Sequence, residues 1–153
     1  MRLLPLALAT TLAPIAVSAQ SLVEAGDPDR LVELLHDGGY VAERTTDGVG
    51  DPMIDVTLPG TSFEVYFYDC TDGSDCLTLQ LSSGYDLPDG MSLERANEWN
   101  RDKRYATVYL DEEDDPFLQM DLNIDYGVTD KNFIDNVKMY VRLVGKFEDY
   151  IDW

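Results

Sequence analysis

The stretch "FEVYFYDCTDGSDCLTLQLS", Phe63 to Ser82, decides how the chain is read. Phe63, Val65 and Phe67 alternate with Glu64, Tyr66 and Tyr68; further on, Leu77, Leu79 and Leu81 alternate with Thr78, Gln80 and Ser82. A period of two belongs to a strand with one apolar and one polar face. The intervening "TDGSD" is turn chemistry, so the stretch predicts a β-hairpin. Its loop carries the chain's two cysteines, Cys70 and Cys76. They lack the two-residue spacing of thioredoxin-like redox sites, and zinc would need two more ligands in a chain whose single histidine is His36. What remains is a staple closing the hairpin loop, provided the compartment is oxidising.

The N-terminus supplies that compartment. "MRLLPLALATTLAPIAVSAQS" has a positive Arg2, an uncharged apolar run from Leu3 to Val17, and small residues at Val17-Ser18-Ala19. This is the pattern of a secretory signal peptide cut after Ala19. The expectation is a signal peptide over residues 1–19, a single domain over 20–153, and a periplasmic or secreted bacterial protein with no membrane insertion after cleavage. The residue directly after the cut is Gln20 and not a cysteine, which argues against a lipid anchor.

Charge bounds the partners. There are 30 Asp and Glu against 11 Lys and Arg; losing Arg2 leaves ten cations and a net charge near −20. So negative a surface repels nucleic acid backbones and anionic lipid headgroups. It suits a basic peptide or protein, a polyamine or a divalent cation, or it serves solubility alone.

Working outward from the hairpin, "GDPDRLVELLHDGGY" reads as a helix. Asp27 caps it, Pro28 takes its first position, Leu31, Leu34 and Leu35 form its stripe, and Gly38-Gly39 stop it. "YVAERTTD" and "PMIDVTLPG" are two further strands before the hairpin. After it, Ser92 caps a helix ending near Arg104, with Leu93, Ala96 and Trp99 on its inward face. "YATVYLDEEDDPFLQMDLNIDYG" is a second hairpin, and Thr129 caps a last helix whose apolar positions run Phe133, Val137, Tyr140, Val141, Val144, Phe147 and Ile151. The order is α-β-β-β-β-α-β-β-α. It predicts an α+β fold: an antiparallel sheet of about five to six strands with three helices on one face.

That order, with the segments "LPDGMSLERANEWNRDKRYATVYLDEEDDPFLQMDLN", "DGVGDPMI" and "FYDCTDGSDC", resembles the YbjN family over roughly Asp27 to Ile151. The resemblance implies a fold like that of type III secretion chaperones, a role among bacterial sensory transduction regulators, and protein binding without catalysis. It implies no catalytic residues and no cofactor.

Several candidates for chemistry remain. Asp121, Asn123 and Asp125 occupy the first, third and fifth places of an EF-hand-like loop, but Gly127 comes one residue late and the twelfth place is Asn132. They are a weak metal alternative beside the plainer reading, the polar side of a strand and a turn. The hairpin tip from Asp111 to Asp115 binds cations or stays solvated. His36 sits where it complements a helix C-terminus. In "RANEWNRDKR", Arg95, Arg101, Lys103 and Arg104 stand with Trp99 and Asn100 among them. Either they form a basic, aromatic recognition patch, or the cations pair internally and Trp99 fills the core. Tyr66 and Tyr68, with Tyr105 and Tyr109 nearby in the sheet, suit either a binding surface or plain cross-strand pairing.

The function this points to is a non-enzymatic periplasmic protein-binding module, chaperone-like or sensory, taking a protein or cationic peptide through Tyr66 and Tyr68 or through Arg95, Trp99, Asn100, Arg101 and Arg104. A homodimer is one arrangement it allows. The alternatives are an acidic domain for divalent cations, and an inhibitor of a cationic envelope-directed enzyme such as a lysozyme.

Overall fold

The computed structural model describes residues 21–153; the expected signal peptide, residues 1–19, lies outside them. Strand β1 (Leu22–Val23) leads into helix α1 (Pro28–Asp37). The Asp27 carboxylate accepts the Arg30 N–H at 3.1 Å, and Pro28 sits at the helix start, where its missing N–H costs nothing. Leu31, Leu34 and Leu35 are buried, and Gly39, at φ 87°, turns the chain out of the helix.

Four strands follow: β2 (Val41–Thr46), β3 (Pro52–Leu58), β4 (Thr61–Tyr68) and β5 (Thr78–Gly84). Helix α2 (Leu93–Asp102) comes next, then β6 (Thr107–Leu110), β7 (Pro116–Asn123), β8 (Val128–Thr129) and helix α3 (Asp130–Ile151). The fold is α+β in the expected order, with one addition: β1 and β8 pair as a separate two-stranded sheet. The main sheet is antiparallel throughout, with the spatial order β2-β3-β4-β5-β7-β6. The second hairpin thus joins the first through β7, leaving β6 at one edge and β2 at the other.

The apolar side of every strand points the same way. Ile54, Phe63, Val65, Phe67, Leu79 and Leu118 are fully buried under the helices. Phe133, Val137, Tyr140, Val144, Phe147 and Ile151 of α3 complete the core; Val141 is only half-buried, and Leu143 takes an inward place instead. Tyr140 brings a hydroxyl into this apolar layer. It donates to the Leu118 carbonyl at 2.8 Å and lies 3.0 Å from Ser83 Oγ, so the group is satisfied where an unpaired one would be costly. Burial pushes that phenol far above its ordinary range.

Two apolar residues stand elsewhere than expected. Leu93 is 65% exposed because it is the first residue of α2, before the inward stripe begins at Ala96 and Trp99. Leu77 is exposed because it still belongs to the loop, and β5 starts one residue later.

Cys70 and Cys76 are joined in a disulfide at the hairpin loop. Inside it Thr71 and Ser74 exchange backbone hydrogen bonds at 2.7 and 3.0 Å. Asp69, Asp72 and Asp75 all have left-handed backbone, a conformation short polar side chains tolerate.

Candidate functional site

The side of the main sheet away from the helices is uncovered by any described element, and the register says what it carries. One row across the strands runs Glu43, Asp55, Glu64, Ser82, Gln119, Thr107. The next runs Thr45, Met53, Tyr66, Gln80, Asp121. Tyr68, Thr78 and Asn123 follow on one side, and Gly84, Phe117 and Tyr109 lie on the other.

Two stacked aromatic pairs stand on either side of the Glu64 row of this face. Tyr66 and Tyr68, two residues apart on β4, stack with centroids 6.5 Å apart. Tyr109 and Phe117, directly opposite on β6 and β7, stack at 5.0 Å. Phe117 lies over Gly84: a Cβ there would stand 2.6 Å from the ring, so only glycine leaves it room. The Tyr68 hydroxyl reaches Gln80 Oε1 at 3.5 Å, and Gln80 Nε2 donates to Asp121 Oδ1 at 2.8 Å. Tyr68 and Tyr109 remain more than two-fifths exposed, enough for a partner to touch their rings.

The electrostatics are one-signed. Partial burial raises the phenols of Tyr66, Tyr68 and Tyr109, and neighbouring groups add to it: Glu64, Tyr68, Tyr109 and Asp55 around Tyr66, Asp121 and Asp47 around Tyr68, Asp111 and Tyr68 around Tyr109. All three are therefore neutral hydrogen-bond donors at ordinary pH. Glu64 is raised above the usual carboxylate range, first by burial and then by Asp55, its direct cross-strand neighbour.

Of the α2 residues singled out in the sequence, Arg95, Trp99 and Asn100 are engaged within the molecule, while Arg101 and Arg104 stay exposed. Trp99 is 1% exposed and meets Phe147 edge-on at 4.9 Å, so the expectation that it offers contact area to a partner is corrected. The Asn100 side chain takes the Val108 N–H at 2.7 Å and donates to the Val108 carbonyl at 3.0 Å. Arg95 donates to the Tyr150 carbonyl and lies over the Tyr150 ring, while the Tyr150 hydroxyl returns a bond to the Arg95 carbonyl at 2.9 Å. Arg101 pairs with Asp102, and Arg104 covers Tyr105. Tyr105 itself precedes β6 and stands apart from the sheet rows.

The acidic candidates are likewise engaged locally. Asp111 Oδ1 accepts from the backbone of Glu113 and Asp115, and Asp115 Oδ1 from Leu87. Asn123 Oδ1 accepts from the Asp125 N–H while Asp121 holds Gln80. Among the described residues no three His, Cys, Asp or Glu side chains gather as a metal-binding group. His36 Nε2 donates to the Ala42 carbonyl at 2.8 Å, tying α1 to the edge strand β2.

A family model, "YbjN: Putative bacterial sensory transduction regulator", matches residues 27–153. The chain belongs to the YbjN family. Among curated proteins no match is found. In this YbjN domain, Tyr66 and Tyr68 stand on the same face with Tyr109 and Phe117, and the α2 residues stand elsewhere. The sequence reading missed Phe117 and the carboxylate row. Their signal was present in the strand alternation, but it needed the β5–β7 pairing before it resolved into one surface.

Proposed function

We propose that this YbjN protein is a non-enzymatic regulatory module that works in the bacterial periplasm, or secreted, by binding another protein on the open face of its sheet. The observation that carries this is the uncovered aromatic layer of Tyr66, Tyr68, Tyr109 and Phe117 on a rigid sheet. Tyrosine gives a large contact area with little side-chain entropy to lose, the pattern of binding surfaces. The family's description as a sensory transduction regulator supports protein partners. The sequence pattern of a signal peptide and the Cys70–Cys76 bridge support an oxidising compartment.

The sheet edges support the face over edge pairing as the mode. Asn100 occupies both backbone groups of Val108 on β6, and His36 occupies the Ala42 carbonyl on β2. Side-chain bonds of this kind reduce the free template that an added strand would need.

In-cell photo-cross-linking tests the reading. A photoreactive residue at Thr107, exposed on the open face, is expected to give discrete protein adducts. One at Lys138, exposed on α3, is expected to give none. Equal adducts from both positions, or adducts from Lys138 alone, would refute it.

A further inference from the structure

Positive charge is distributed on one side only. Of the ten Lys and Arg after the expected signal peptide, nine lie on α1, α2, α3 or the two residues following α2. The tenth, Arg44, is on β2 but reaches toward α1, pairing with Asp29 at 2.8 Å. No Lys or Arg belongs to the strand positions of the open face, whereas Glu43, Asp55, Glu64 and Asp121 do.

Three of those carboxylates are direct neighbours. Glu43 is opposite Asp55, and Asp55 is opposite Glu64, across three adjacent strands. Like charges placed opposite one another destabilise a sheet, and among the described residues no Lys or Arg pairs with them. Beside them stand neutral tyrosine rings, whose faces attract cations. The domain uses that attraction on its helix side, with Arg95 over Tyr150, Lys103 over Trp99 and Arg104 over Tyr105. Those cations lie on the helix side, so a cation set against the open-face rings comes from another molecule. A single metal ion matches it poorly, because its carboxylates sit on separate strands about 5 Å apart per strand and do not converge. Spaced charges on a flexible segment match it well.

We propose that the open face receives an arginine- or lysine-bearing segment of the partner protein, its cationic heads set against Tyr66, Tyr68 and Tyr109 and beside Glu64 and Asp121. This rests on the reading of that face as the binding surface and adds the chemistry of the occupant.

The test is an NMR titration of the ¹⁵N-labelled domain with a synthetic peptide alternating Arg and Ala, against the same peptide with Glu for Arg, and against spermine. Arg-Ala is expected to bind, with shifts confined to the open-face positions of β3, β4, β5, β6 and β7; Glu-Ala is not. Tyr66→Leu with Tyr68→Leu, and separately Glu64→Gln with Asp121→Asn, are each expected to weaken binding about tenfold. Glu112→Gln with Glu113→Gln, at the exposed hairpin tip, is expected to change it less than about twofold, since exposed distant charges are screened. Glu64→Gln relieves a repulsion, so a loss of affinity in that variant is not a loss of fold.

Shifts spread over the hairpin tip and α3, or equal weakening by the tip variant, would reduce the effect to bulk charge and overturn the proposal. Spermine giving the same shifts at equal affinity would overturn a protein segment as occupant. No binding of Arg-Ala, or equal binding of Glu-Ala, would overturn the cationic occupant while the Thr107 adducts independently decide whether the face binds protein at all.

Discussion

Cys70 and Cys76 close a short loop, with a sequence separation of 6, and a short closure acts chiefly on the unfolded chain. Replacing both with serine is expected to remove about 2 kcal/mol of stability, lowering the melting temperature by roughly 6 °C. The far-UV spectrum should be unchanged, because the hairpin is also held by the Leu77 N–H to Tyr68 carbonyl bond at 3.1 Å and by the β4–β5 ladder. Thermal melts of both proteins, with and without reductant, check this: reductant should lower only the parent. A variant that melts with the parent would show that the bridge adds nothing to a loop already fixed by its turn. At this scale the cysteines were legible because spacing and compartment left few alternatives. Trp99 was not. Its inward helical position and its basic neighbours pointed opposite ways, and only the presence of Phe147 on another helix decides between them.

Between elements, the informative contact is one amide. Asn100, on the last turn of α2, gives edge strand β6 the acceptor and donor that a further strand would have given it. Asn100→Ala keeps the helix but strands the N–H and carbonyl of Val108, a buried residue. Leaving such groups unpaired costs about 1–3 kcal/mol. Urea denaturation should show the unfolding free energy falling by that amount, as a lower midpoint at unchanged slope, and the Val108 amide should exchange its hydrogen faster than its neighbours on β7. An unaltered midpoint would mean that water replaces the side chain at no cost. The elements themselves were readable where their period was long. Phe63–Phe67 and Leu118–Ile124 announce strands, and Phe133–Ile151 announces a helix. The β1–β8 pair was silent because two residues hold no period. The β5–β7 pairing was silent because alternation names a face and not a neighbour.

For the whole molecule the governing fact is that the face its helices leave open carries Glu43, Asp55, Glu64 and Asp121 and no Lys or Arg. Glu64 registers the cost. It is half-buried, with Asp55 opposite it on one strand, Ser82 opposite it on the other, Glu43 one strand beyond and the phenol of Tyr66 beside it. Its pKa is raised by burial and by Asp55, so the folded protein holds this proton more tightly than the unfolded chain does. The sign follows. The contribution to stability is whole below the unfolded value, about 4.3 for glutamate, and is lost as pH rises through the higher folded value. Above that, ionised Glu64 works against the fold. Glu64→Gln should therefore be more stable than the parent at pH 7, by roughly 0.2–1 kcal/mol and about 1–4 °C. The advantage should shrink toward pH 4, where the parent's Glu64 is protonated too. Melting both proteins from pH 4 to 8 and plotting the difference isolates Glu64 from the many other carboxylates, which cancel. A difference that is flat with pH, or that grows toward acid, would mean that Glu64 carries no strained charge and that this face was never electrostatically incomplete.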